Sequence, residues 1–470
     1  MPNDELCFTS AVDLAAAIRA GKVSPVEVTT AVLARIAQVN PTINAYCTVA
    51  AERALDEARR AEAALARGER LGPLHGVPIS FKDLTPTAGI RTTFGSKIFE
   101  HTVPVEDAIV VERARAAGAV VIGKTNTPEF GCKGVTDNLI FGHTKNPWNT
   151  GRIAGGSSGG AAAAVAAGLA PLAEGSDLAG SIRIPASVCG VVGFKPSLGR
   201  IPRYPSVNGY TGMSHLGPIT RTVRDAALLT SVWTGPDERD PQSLPATGED
   251  FTRAVEGGIK GLRVALSLDL GYAAVDPEVR GIVAAAAKHF AGLGAAVEEA
   301  HPGFENPESL FMDLTAPIRA AAMAPYLPKW RDQMDPMLLL RVDHAPKMTA
   351  VDSERATHRR TALWQTVRKF FERYDLLLTP TTSVAAFPLG RVYPEQIEGR
   401  PLTNGLQWFP FTYPFNLTGQ PAITVPCGWT AEGLPVGLQI VGRRYADATV
   451  LRAAHAFEAA APWVQRRPAL

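Results

Sequence analysis

GGSSGGAAAAVAAGLAPLAEGSDLAGSIRIPA, residues 155–186, sets two serine-bearing glycine loops at the ends of a helix of small residues, with Ser157 and Ser181 24 positions apart. Glycines on both sides allow close approach of the backbone to a ligand and dihedrals that other residues avoid. Consecutive N–H groups at Leu178, Ala179, Gly180 and Ser181 can form an anion nest, and a developing oxyanion is what such a nest stabilises. A serine inside that nest, Ser181, is placed as a nucleophile. A serine nucleophile needs a base. The nine histidines fall in no motif, whereas Lys82 ends the apolar run Val77-Pro78-Ile79-Ser80-Phe81. A lysine whose pKa burial lowers can hold that role.

Outward from this stretch the chain alternates helix and strand signals. Ser10 to Gly21 and Ser24 to Val39 read as helices with serine caps, the second with Pro25 at its first position. Ala50 to Arg67 continues as a helix closed by Gly68. From Gly76 onward short strands follow, at Val77–Phe81, Ala119–Ile122, Gly261–Leu266 and Ala295–Val297. Helices are expected at Ala108–Ala117, Ala161–Ala167 and Pro277–Leu293. This pattern predicts an α/β fold with a central, mixed, mostly parallel β-sheet. One domain over 1–470 is expected: a helical N-terminal layer (1–70), a core (71–300), a helical insertion (301–400) and a return to the core (401–470).

The composition narrows the function. The chain has 470 residues, 46% hydrophobic and 20% charged, with Lys+Arg 47 against Asp+Glu 45. A net charge of +2 lacks the basic face that nucleic-acid binding needs. Five cysteines, scattered and without a C-x-x-C pair, argue against a disulfide framework or zinc cluster and for a reducing, cytoplasmic compartment. The N-terminus, with acidic residues, does not read as a signal peptide. No charge occurs between Arg152 and Glu174, but Gly, Ser and Ala insert weakly into a bilayer, so no membrane association is expected. No cofactor and no metal are expected, since no H-E-x-x-H or Cys/His cluster is present.

Two shorter motifs compete. Gly118-Ala-Val-Val-Ile-Gly123-Lys124-Thr125 matches G-x-x-x-x-G-K-[ST] literally, but its variable positions are apolar and mostly β-branched and favour a strand over a phosphate loop. Gly155-Gly156-Ser157-Ser158-Gly159 fits G-x-S-x-G, yet the turn-forming Asn146–Gly151 precedes it instead of a strand.

The sequence resembles the amidase signature family of serine hydrolases. The likeness rests on Gly76–Asp83 (GVPISFKD), Gly123–Gly131 (GKTNTPEFG), Gly155–Ala186, Gly193–Pro196 (GFKP) and Gly433–Gln439 (GLPVGLQ). It implies the amidase signature fold, a twisted sheet covered by helices on both faces. By position it implies that Lys82 is the base, Ser157 a bridging serine after a cis peptide bond, and Ser181 the acylated nucleophile. Leu178, Ala179, Gly180 and Ser181 match the oxyanion hole, and Ser158, Ser176, Asp177 and Arg183 supporting positions, the last two as a structural ion pair. Ala179 and Ser176 depart from the glycine and threonine common in the family.

The resemblance implies hydrolysis of carboxylic amide C–N bonds. Aromatics at 408–415 and at Phe304, Phe311, Tyr326 and Trp330 suggest an apolar acyl or aryl pocket, so aryl esters and carbamates join small-molecule amides as expected substrates. The alternative is the glutaminase component of a tRNA-dependent amidotransferase, with partner subunits. Against it, Ile184 stands where those glutaminases usually carry glutamine. A homodimer is compatible with the sequence. A neutral lysine base predicts an activity optimum at about pH 7–10.

Overall fold

The computed structural model describes residues 3–470, side chains from residue 4. Eleven strands form one sheet: β1 (Tyr46–Val49), β2 (Pro78–Lys82), β3 (Val120–Thr125), β4 (Leu172–Asp177), β5 (Val192–Lys195), β6 (His215–Thr220), β7 (Arg263–Leu266), β8 (Ala296–Glu299), β9 (Leu376–Pro380), β10 (Ala422–Trp429) and β11 (Pro435–Gly442). Their spatial order is β1-β3-β2-β4-β6-β5-β10-β11-β9-β7-β8, with helices around it. The sheet is mixed, as expected. Four of its ten ladders are parallel, β3–β2–β4 on one side and β9–β7–β8 on the other, and the centre between them is antiparallel. Parallel pairing is thus less prevalent than the helix–strand alternation suggested. The reason is local: β10 and β11 form a hairpin over Thr430–Leu434, and β6 runs antiparallel between β4 and β5.

The parallel wing carries the consequence for function. β2, β3 and most of β4 are buried along their length, as strands covered on both faces must be. In adjacent parallel strands the carboxyl ends fall on the same edge, where α/β sheets place their ligands. Lys82 closes β2 and Asp177 closes β4 on that edge.

The N-terminal helices form as expected. Ser10 caps Ala11–Arg19, and Ser24 and Glu27 make a reciprocal capping box on Pro25–Ile43. This second helix continues past the expected end at Val39, with Pro41 in its last turn. Strand β1 interrupts the layer expected to be helical over 1–70. Likewise β9, an interior strand of the sheet, falls inside the 301–400 segment, which is helical only up to Arg373 (Glu308–Met323, Leu327–Trp330, Pro336–His344 and Ala350–Arg373). That segment has its own small apolar cluster, Met323, Met334, Leu338 and Val342, closed against Cys132. It is tied to the core where Glu129 accepts the Asp335 N–H (2.6 Å) and Lys133 bridges Asp137 (2.8 Å) and Asp335 (2.6 Å).

The phosphate-loop match lies in β3, with no helix directly after it. Lys124 is buried and donates to the Thr85 carbonyl and, at 2.8 Å, to the Thr87 hydroxyl. A strand backbone paired on both sides has no N–H groups to offer a phosphate, which removes the nucleotide-binding reading.

Candidate active site

Three segments converge at the carboxyl edge of β2 and β4. Lys82 brings its side chain from β2. Ser176 comes from β4, and Ser157 and Ser158 from the turn before the helix Gly159–Ala166. Lys82 Nζ lies 2.7 Å from Ser157 Oγ, 2.8 Å from Ser158 Oγ and 3.0 Å from Ser176 Oγ. Ser158 occupies the N-cap of its helix, yet its hydroxyl makes no cap bond; it faces Lys82 instead. The Gly156–Ser157 peptide bond is cis. Glycine is required at 156, because a methyl there would lie 2.7 Å from the Val135 backbone.

Lys82 is wholly buried. Burial disfavours its ammonium form; Glu174 and Asp177 oppose this, Arg319 adds to it, and the net effect lowers its pKa to about 7. Glu174 is itself buried, which raises its carboxyl pKa. It accepts the Lys82 N–H at 3.1 Å and the Thr85 hydroxyl at 2.9 Å, fixing the end of β2. The residue received no role from the sequence, although an acid inside the buried strand Leu172–Asp177 is a readable signal.

Ser181 lies in the turn between β4 and the helix Arg183–Cys189. The structure joins it to the other serines through the backbone, its carbonyl accepting the Ser158 N–H at 3.1 Å. Its hydroxyl has no protein hydrogen bond among the described residues. Of the four N–H groups in the expected nest, that of Gly180 is turned to the Asp177 carboxylate at 2.7 Å. Those of Leu178, Ala179 and Ser181 have no protein acceptor among the described residues. Gly180 has φ +118°, and a methyl there would strike the Thr412 hydroxyl at 2.5 Å. That hydroxyl in turn bonds the Ala179 carbonyl at 2.5 Å.

Asp177 and Arg183 pair as expected, fully buried, at 2.9 and 3.0 Å. Burial alone would raise the Asp177 carboxyl, but the Arg183 guanidinium holds it well below the ordinary range. All five Arg183 donors are used: two on Asp177, and the others on Asn416 Oδ1 (2.6 Å), Gln439 Oε1 (2.6 Å) and the Thr412 carbonyl (3.0 Å). The loop over 177–183 is therefore clamped from below. We expect Arg183→Leu to cost about 3–5 kcal/mol, because it strands a buried carboxylate; urea unfolding of the variant measures this.

An open cavity lies between the core and the helical segment; Lys82 and the serines do not themselves line it, but chain neighbours of the site do. One wall, Cys132–Gly134, follows Gly131, where a methyl would stand 3.1 Å from Ser157 Oγ. Another includes Phe409, whose carbonyl accepts the Thr412 hydroxyl at 3.0 Å. Met312, Met337, Leu340, Val392 and Leu406 supply most of the apolar lining, with Lys133, Arg341 and Asn404 as its polar members. Of the aromatics suggested from the sequence, only Phe409 lines it. Trp408, Phe411, Tyr413, Phe415 and Phe311 are core, Phe304 packs on Tyr272, and Tyr326 and Trp330 join the small cluster.

Among the described residues no group of three or more His, Cys, Asp or Glu side chains could hold a metal ion, and no helix is long and apolar enough to cross a membrane.

Comparison with known proteins agrees with this architecture. The amidase family model matches residues 27–451. An acylamidase of Rhodococcus erythropolis is 45% identical over 473 aligned positions, covering 100% of this chain and 99% of the relative. The A subunit of the glutamyl-tRNA(Gln) amidotransferase of Moorella thermoacetica is 40% identical, covering 99% of each. Among solved structures, a bacterial aryl acylamidase of the amidase signature family superposes with TM-score 0.93 at 34% identity, covering 97% of each chain. A 6-aminohexanoate cyclic dimer hydrolase superposes with TM-score 0.90 at 34% identity, covering 98% of this chain and 99% of that one. The chain belongs to the amidase signature family of amide-hydrolysing enzymes.

Proposed function

We propose that the protein cleaves acyl and aryl amides through an acyl-enzyme on Ser181, with aryl esters and carbamates as further substrates. The observation that carries this is a buried lysine, its pKa lowered to about 7, held 2.7 Å from the Ser157 hydroxyl. Neutral Lys82 takes the Ser157 proton while Ser157 takes that of Ser181, whose Oγ bonds to the carbonyl carbon. The oxyanion is received by the N–H groups of Leu178, Ala179 and Ser181. The relay then returns the proton to the departing amine, and water repeats the sequence to free the acid. Asp177 and Arg183 hold the loop, and Ser158 and Ser176 orient the lysine.

The apolar cavity favours a hydrophobic arm on the substrate. Likeness to the amidotransferase relatives supports a glutaminase as the other reading, but among the described residues no carboxylate lines the cavity to receive the ammonium group of free glutamine. The deciding experiment compares hexanoyl p-nitroanilide with free glutamine. We expect kcat/KM for the anilide to exceed that for glutamine by on the order of 10²-fold; the reverse order overturns the reading.

A further inference from the structure

Arg341, on the helix Pro336–His344, lines the same cavity and is 9% exposed. Its guanidinium lies 5.6 Å from the Phe311 ring centroid and makes one hydrogen bond, to the Cys132 carbonyl at 3.3 Å. Among the described residues no carboxylate pairs with it. The contrast with Arg183, whose five donors are all satisfied, is informative: a guanidinium removed from water and left without a counter-ion is costly.

Its surroundings sharpen the point. Lys133, on the neighbouring wall, is neutralised by Asp137 and Asp335. Arg319, partly buried on the packed helix Glu308–Met323, has no carboxylate partner among the described residues either. Burial first, and then the Arg319 charge, lowers the Arg341 pKa to about 10. The carboxylates of Asp137, Asp335 and the nearby Glu129 all gather at Lys133 and the Asp335 N–H, which leaves Arg341 and Arg319 without a carboxylate partner among the described residues. The rest of the lining is mostly apolar. An apolar pocket with an unneutralised planar cation fits an apolar arm that ends in a carboxylate, which a guanidinium grips with two parallel hydrogen bonds.

We propose that this cavity binds the anionic end of the substrate, an amide whose apolar arm carries a terminal carboxylate seated on Arg341 with Arg319 reinforcing the field. The inference rests on the amidase reading and narrows its substrate class.

Two isosteric pairs test it, one for each side of the scissile bond. Glutaryl p-nitroanilide is compared with 5-methylhexanoyl p-nitroanilide, and 4-acetamidobenzoate with 4-isopropylacetanilide. In the wild type we expect the charged member of at least one pair to be favoured by about tenfold or more in kcat/KM, chiefly through KM. In Arg341→Gln that ratio should fall by about tenfold. Ratios are taken within one preparation, so partial loss of folded protein does not alter them. If Arg341→Gln does not fold, Arg341→Lys decides, with an expected fall of about threefold because a point charge replaces the fork. A wild-type ratio at or below one for both pairs overturns the proposal, as does a ratio unchanged in the Arg341 variant. Failure of the amidase reading looks different: neither neutral anilide is hydrolysed, or hydrolysis survives Ser181→Ala.

Discussion

Ser181→Ala is expected to lower kcat/KM for any amide by at least about 10³-fold, a loss of about 4 kcal/mol of transition-state stabilisation. The magnitude follows from the proposed division of labour. Without Ser181 Oγ no acyl-enzyme forms, and the N–H groups of Leu178, Ala179 and residue 181 are left to polarise a carbonyl that only water can attack. The substitution removes one half-buried hydroxyl that has no protein partner, and the Ser181 carbonyl still accepts the Ser158 N–H. Stability should therefore change by under about 1 kcal/mol. Intact mass after treatment with a fluorophosphonate gives the decisive readout. One adduct is expected on wild type, mapped to Ser181, and none on Ser181→Ala. An adduct on Ser157 instead would reverse the roles of the two serines. A variant that unfolds with the wild type in urea yet retains activity would remove Ser181 from the chemistry altogether.

What the sequence disclosed and what it withheld follow one line. Lys82, Ser157 and Ser181 stand out as candidates because each sits in a local pattern: an apolar strand ended by a lysine, and glycine loops around a small-residue helix. The expected elements also formed, since caps such as Ser24 with Glu27 act within a few residues. The supports of the site were not legible in this way. Thr412, Asn416 and Gln439 reach Arg183 and the 177–180 turn from more than 200 residues away, and only a demand for acceptors around a buried guanidinium could have sought them. The Gly180 N–H was assigned to the oxyanion hole because sequence spacing does not show that the Asp177 carboxylate, three residues earlier, already holds it. The aromatics at 408–415 read as a pocket, but a dense aromatic run packs as core when its strands and helices close around it, leaving Phe409 alone at the cavity. The strand β9 hid behind a helical segment because LLLTP, five buried residues, has no alternation to separate it from a helix end.

The lysine makes the sharpest demand on the mechanism. Its ammonium form has three donors, and the three hydroxyls of Ser157, Ser158 and Ser176 can accept all of them, so hydrogen bonding alone would keep it charged. Burial acts the other way, and the amino end of the helix Gly159–Ala166, whose partial positive charge adjoins Ser158, adds to burial. The outcome is a pKa lowered to about 7. A base must be neutral to accept a proton, so activity should be full above this value. Below it kcat/KM should fall by about tenfold per pH unit, as the fraction of neutral lysine falls. The stability of the fold has the same sign. The lysine pKa is about 7 in the folded chain against 10.5 in the unfolded one, so its contribution to stability is present at high pH, is lost as pH falls through that interval, and changes no further below it. Lys82→Met, which keeps the length of the side chain, should therefore fold at least as stably as the wild type while losing on the order of 10³-fold in kcat/KM. Lys82→Arg tests the same idea from the other side: it keeps donors for the hydroxyls but cannot lose its proton, and should be equally inactive at every pH. A wild-type pH–rate profile that peaks near pH 5, or a Lys82→Arg variant that retains more than about a tenth of the activity, would show that the proton from Ser157 goes elsewhere.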